Sequence, residues 1–179
     1  PFRAALCAGT VFASEPSRGA TIHALERARA AGLQVIFDID YRPYSWPSAE
    51  VASDVLSRAG DASDLIVGND EEFGFMAGGF ERGLDKAREL AERPGRIVIY
   101  KMGENGAVTF ADGNEIRTGV YNVDAIKPVG AGDSFMSGLL AGLAEGLSIH
   151  DAVLRGSACA AIVVSKPGCS PAMPNADQL

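Results

Sequence analysis

The sequence is short of several things, and each shortage removes a class of protein. Three cysteines, Cys7, Cys159 and Cys169, form no C-x-x-C pair. An odd number leaves one thiol over in any disulfide scheme, which fits a reducing compartment and an expected cytoplasmic setting. The two histidines, His23 and His150, lie far apart and have no partner at metal-ligand spacing, so neither is offered as a ligand. Basic residues are outnumbered: 16 Lys and Arg against 23 Asp and Glu give a net charge of −7 and a pI near 4.8. A sequence-independent grip on nucleic acid or on an anionic membrane needs a basic surface, so neither is expected as a partner. No apolar run approaches the roughly 18 residues that span a bilayer, and no charged segment leads into an apolar one at the start. Three well-known motifs are missing too. A G-x-G-x-x-G beginning at Gly130 would need glycine at Phe135, and neither G-x-x-x-x-G-K-[ST] nor G-x-S-x-G occurs.

What is present is an ordinary globular composition. Of 179 residues, 47% are apolar and 22% charged, enough for one core and one domain over residues 1–179. Strand-like runs alternate with helical stretches: "FRAALCAGTVFA", helix over "PSRGATIHALERARAAG", strand "LQVIFDID", helix "WPSAEVASDVLSRAG", strand "DLIVGN", then helices around Glu71–Met76 and Leu84–Ala91. That rhythm predicts an α/β fold, a mostly parallel sheet with helices on both faces. In "RIVIYKMGENGAVTFADGNEIRTGVY" three short β segments are separated by "GENG" and "DGN", which predicts an antiparallel edge. A helical stripe through Phe135, Met136, Leu139, Leu140 and Leu143 and a small, apolar run from Ala152 to Val164 close the chain with a buried helix. The tail "KPGCSPAMPNADQL" reads as loop. The chain opens without methionine inside an apolar run, which reads as the cut edge of a longer chain, and an exposed strand edge there invites self-association into a homo-oligomer.

The chemistry gathers at "KPVGAGDSFMSGLL". Gly130 and Gly132 allow backbone N–H groups to point outward at a helix start whose dipole favours negative charge, with Asp133 beside them. An anion hole next to a carboxylate is the equipment for moving a phosphoryl group to a hydroxyl. The same residues also read as a tight turn and a favourable acid in a first helical turn. Asn69 and Glu72, spaced N-x-x-E, read as an N-cap with a first-turn acid. Arg42 closes a strand with a planar fork suited to a carboxylate or phosphate, or to a structural ion pair with Asp38 or Asp40.

These segments resemble the ribokinase-like (PfkB) carbohydrate kinases. "GAGDSFMSGLL" is similar to that family's C-terminal signature, and "FDIDYRPYSW", "VGNDEEF" and "YKMGENGA" fall in the family's order. "DIDYRPYSWPS" and "NDEEFGFMAG" are most similar to the branch that phosphorylates 5-dehydro-2-deoxygluconate, with kinases of 2-keto-3-deoxygluconate or fructose as neighbours. The resemblance implies a ribokinase-like fold, ATP and Mg²⁺, and a sugar acid as small-molecule partner. It implies Asp133 as catalytic base, Gly130, Ala131 and Gly132 as anion hole, and Asn69 and Glu72 as organisers of Mg²⁺, Glu72 acting through water. Lys101 and Gly103 would run along the nucleotide phosphates, although Gly103 also suits a plain hairpin, and Arg42 would read the sugar carboxylate. It further implies a preceding portion carrying a lid and sugar contacts, so that residues 1–179 form the C-terminal nucleotide-binding and catalytic part. Lys127 departs from the family, standing where many members have an acid that helps hold a monovalent cation; a fixed ammonium would replace the ion in part. A non-catalytic sensor on the same fold is the rival reading, and Asp133 argues against it, since a sensor needs no base.

Overall fold

The computed structural model describes residues 2–179. Its strands grow from the apolar runs: β1 (Ala4–Ala8), β2 (Gln34–Asp38), β3 (Leu65–Asn69) and β4 (Ile97–Lys101) pair in parallel, in the order the chain makes them. The crossovers that parallel pairing demands are α1 (Ser17–Ala30), α2 (Ala49–Asp61) and the pair α3 (Asp70–Ala77) and α4 (Gly83–Ala91). β5 (Ala107–Ala111) and β6 (Asn114–Thr118) complete a six-stranded sheet. Between them Asp112 (φ 50°) and Gly113 (φ 76°) are both left-handed, the turn that matches the twist of a hairpin. The connection from β4 to β5 is too short for a crossover, so the sheet ends in the expected antiparallel edge.

In β2 and β3 neighbouring side chains of both parities are buried, as a strand covered on both faces requires: Val35, Ile36 and Phe37, then Leu65, Ile66 and Val67. Phe37, Ile39, Leu56, Ile66, Phe73, Val98 and Val108 form the centre of one core. α2 joins it through Ala52, Leu56 and Ala59, one face at helical spacing, after Ser48 Oγ accepts from Val51 N (3.3 Å) at its start. α1 buries none of its residues. Its arginines explain this, since Arg18, Arg27 and Arg29 keep their heads in water or on loop carbonyls, as Arg18 does on Phe12 O (2.7 Å) and Ala13 O (3.0 Å). Arg96, 5% exposed, donates to Ser63 O (2.9 Å), Leu90 O (2.8 Å) and Asp61 O (2.7 Å), satisfying carbonyls where α2 and α4 end.

The chain divides into two units, one running to Met102 and including Val108–Glu115, the other made of Gly103–Ala107 and Ile116–Leu179. The second is built on α5 (Ala131–Ala144) and α6 (Ile149–Val164). Their backbones touch through glycine. A Cβ at Gly138 would lie 2.9 Å from Arg155 O and 3.0 Å from Gly156 Cα, and one at Gly156 would lie 2.8 Å from Phe135 O. Phe135, Met136 and Leu139 of the expected stripe are buried, while Leu140 and Leu143 are half-buried. Ala152, Val153, Cys159 and Val163 line the inner side of α6. The tail is loop interrupted by two short 3₁₀ turns, Ser170–Ala172 and Ala176–Gln178.

Candidate active site

Parallel strands present their C-terminal ends along one edge, where open α/β sheets hold ligands. In the first unit Asn69 ends β3 opposite Lys101, which ends β4. Asn69 is also the N-cap of α3: its Oδ1 accepts from Glu72 N (2.8 Å), while Glu72 Oε2 accepts from Asn69 N (2.8 Å). The N-x-x-E spacing is therefore a complete capping box. Glu72 is 7% exposed, and burial pushes its carboxyl above the usual range. The Lys101 ammonium and the backbone N–H groups of Asn69 and Tyr41 pull it down, and the Asp40 carboxylate adds to the rise. Arg42 Nη2 lies 2.7 Å from Asp40 Oδ1, and its Nη1 donates to Tyr41 O (3.0 Å). The ion pair with Asp40 that the sequence allowed is thus made, and it leaves part of a half-exposed guanidinium for another acceptor. Arg42, Asn69, Glu72 and Lys101 are brought to the same edge, with Asp40 acting on both Arg42 and Glu72.

In the second unit Gly130 caps α5 with φ 88°, and a Cβ there would lie 2.5 Å from Cys169 Sγ, so glycine is required by conformation and by space. Ala131, Gly132 and Asp133 open the helix. The Ala131 N–H turns back onto Pro128 O (3.2 Å), and Ser134 N donates to Gly130 O (3.0 Å). Among the described residues the N–H groups of Gly132 and Asp133 meet no backbone acceptor. Of the Gly130–Ala131–Gly132 set that the resemblance implies, the Ala131 N–H is thus engaged within the turn and the Gly132 N–H is not. The Asp133 carboxylate is exposed and bonds to none of the described residues. Lys127 Nζ donates to Val129 O (2.8 Å), and Ile126 N to Val164 O (2.8 Å), tying the segment before the turn to the end of α6. Gly103 opens a 3₁₀ turn with φ 56°, and a Cβ there would meet nothing within 4 Å, so only its backbone conformation calls for glycine.

Of the remaining candidates, Trp46 is buried in the core whereas Tyr44, 86% exposed, stands in solvent. A cavity of about 640 Å³ between α1 and α2, floored by Phe12, Leu25, Val35 and Val55, is lined by none of the predicted site residues. Thr10 is a polar residue of the strand edge that no motif marked, and it bonds to Asp40 (3.0 Å).

Residues 3–176 match the family model described as pfkB family carbohydrate kinase. The chain is 40% identical over 177 residues to the 5-dehydro-2-deoxygluconokinase of Bacillus anthracis (strain CDC 684 / NRRL 3495), which covers 96% of this chain and 53% of that protein. To the enzyme of the same name from Shouchella clausii (strain KSM-K16) it is 38% identical over 176 residues, covering 97% and 54%. Among solved structures, the fructokinase of Vibrio cholerae O395 bound to fructose, ADP and calcium ion aligns with a TM-score of 0.87 at 26% identity, covering 99% of this chain and 60% of that one. The aminoimidazole riboside kinase of Salmonella enterica aligns with a TM-score of 0.87 at 25% identity, covering 99% and 62%. The fold is that of the ribokinase-like proteins, a mostly parallel sheet with helices around it and an antiparallel edge. The chain belongs to the pfkB family of carbohydrate kinases. It spans about half the length of the curated relatives it matches.

Proposed function

We propose that residues 1–179 are the nucleotide-binding and catalytic part of a kinase that moves a phosphoryl group from ATP to a hydroxyl of a sugar acid. The names of the relatives at 40% and 38% identity point to 5-dehydro-2-deoxygluconate as that acid. One observation carries the reading: α5 begins with backbone N–H groups that lack acceptors among the described residues, at the positive end of the helix, beside a carboxylate that bonds to none of those residues. Asp133 takes the proton of the attacking hydroxyl, and the Gly130–Ala131–Gly132 turn, through the N–H groups of Gly132 and Asp133, holds the negative charge that develops. ATP supplies the phosphoryl group, and Lys101 and Gly103 run beside its phosphates.

Mg²⁺ fits this chain only indirectly. One Glu72 oxygen is engaged by the helix cap, and no group of three His, Cys, Asp or Glu able to hold a metal exists among the described residues. Asn69 and Glu72 would therefore orient the ion's water rather than bind the ion. Arg42 reads the sugar carboxylate with the N–H groups left over from Asp40 and Tyr41. The neighbour crystallised with fructose supports a second reading, a neutral ketose as acceptor, under which Arg42 would be structural.

The test is Asp133→Asn in the full-length protein. ATP affinity should hold within a few fold while kcat falls by roughly 10²–10⁴, the usual worth of a positioned base. A kcat close to that of the wild type would sink the assignment of Asp133 as the base, and a wild type that binds ATP without turnover would leave the sensor reading standing.

A further inference from the structure

Thr10 has no part in the reading above, and Asp40 enters it only as a partner of Arg42, yet both are built firmly into the strand edge. Gly9, just past β1, lies so close to the end of β2 that a Cβ there would sit 1.9 Å from Ile39 O. That approach brings the turn after β1 onto the turn after β2 and lets Thr10 Oγ1 donate to Asp40 Oδ2 (3.0 Å), across 30 positions of sequence. The other carboxylate oxygen, Oδ1, lies 2.7 Å from Arg42 Nη2. Asp40 makes both contacts from a left-handed backbone (φ 35°), which a residue with a side chain adopts only at a cost and keeps only where its surroundings over-determine it.

We propose that Thr10 and Asp40 are positioning residues, a hydroxyl–carboxylate relay that fixes the Arg42 fork at the sheet edge so that its remaining N–H groups meet the substrate's carboxylate. The purpose assigned to the fork rests on the proposed sugar-acid reading; the fixing of the fork does not. Arg42 is half-exposed on a long flexible stem. Without the relay it would have to be ordered anew at each binding event, a cost that falls on affinity for the acid and not on the chemical step. Thr10 bonds to Asp40 and not to Arg42, so its effect on the fork must travel through Asp40.

Two variants remove the relay while respecting the backbone: Thr10→Val keeps the shape and loses the donor, and Asp40→Gly accepts φ 35° and loses the carboxylate. A third retains it: Thr10→Ser keeps the hydroxyl that donates to Asp40. In the full-length protein, Thr10→Val and Asp40→Gly should raise KM for the sugar acid about tenfold, the worth of roughly one charge-assisted hydrogen bond. KM for fructose and for ATP should stay within about twofold, and Thr10→Ser should track the wild type. Independently of turnover, the Arg42 Nε–H cross-peak, assigned by its loss in Arg42→Lys, should broaden in the two disrupting variants and not in Thr10→Ser, with melting curves confirming that all three fold. An unaltered cross-peak in Thr10→Val and Asp40→Gly would overturn the relay. A broadened peak with equal rises in KM for acid and ketose would uphold the relay and overturn the reading of Arg42 as the carboxylate's partner.

Discussion

Glu72 serves two ends that differ in what they ask of its charge. As the N3 member of the α3 capping box it needs only an acceptor oxygen, and a glutamine would do as well. As an organiser of metal-bound water it needs the negative charge, and burial resists that charge. The consequence is a pH dependence of known sign. Above the ordinary glutamate value of about 4.3 the unfolded chain is ionised while native Glu72 still holds its proton, so the native state binds more protons and stability falls as pH rises through that window. Glu72→Gln removes the titration and keeps the cap. Its urea midpoint should therefore gain on the wild type as pH is raised from about 4.5 to 7; a constant deficit at every pH would mean that the glutamine caps poorly and burial is not the issue. The spacing of Asn69 and Glu72 and the position of Asp133 were legible because capping and helix-start chemistry are local. Asp40 was legible as a partner of Arg42, but its link to Thr10 was not, since a hydrogen bond across 30 residues leaves no local pattern. Cys7 is buried, and that burial, with Asp38 nearby, pushes its thiol up to about 12, so it stays an unreactive thiol.

The elements followed their periods. Alternation and apolar runs located β1 to β6, and the "GENG" and "DGN" turns announced the edge because left-handed residues are what a tight hairpin requires. The contact between α5 and α6 escaped notice: "SGLLAG" and "LRGSAC" look like ordinary helix with weak formers until two backbones are found in contact. Those glycines make a sharp test. Gly156→Val drives a branched side chain against Phe135 and should cost about 1–3 kcal/mol, the usual penalty of overpacking. Gly119→Ala, where a Cβ meets nothing within 4 Å, should change stability by less than about 0.5 kcal/mol. Equal melting temperatures for the two variants would show that α5 can withdraw from α6 at no cost.

At the scale of the whole chain, composition gave no hint of two units, for the division passes through the β4–β5–β6 meander and no linker rich in Pro, Gly or Ser marks it. Length alone could not reveal that the curated relatives are about twice as long. β1 is the outermost strand of the described sheet, and Leu6 on it is 52% exposed. A bare parallel edge with an apolar side chain invites strand addition, so residues 1–179 alone should sediment as a concentration-dependent mixture, and Leu6→Lys should shift it toward monomer. A monomer at all concentrations in both forms would remove the edge as a cause of association. The same sheet has one more property: its strands lie in space in the order of their synthesis. Each new strand from β2 to β6 finds its neighbour already made, and none must wait for a partner still to be translated. Sequential placement keeps sequence separations short, which favours rapid folding. A ribosome at about 5–20 residues per second would therefore release this sheet strand by strand, with nascent chains gaining protease resistance in steps rather than at termination.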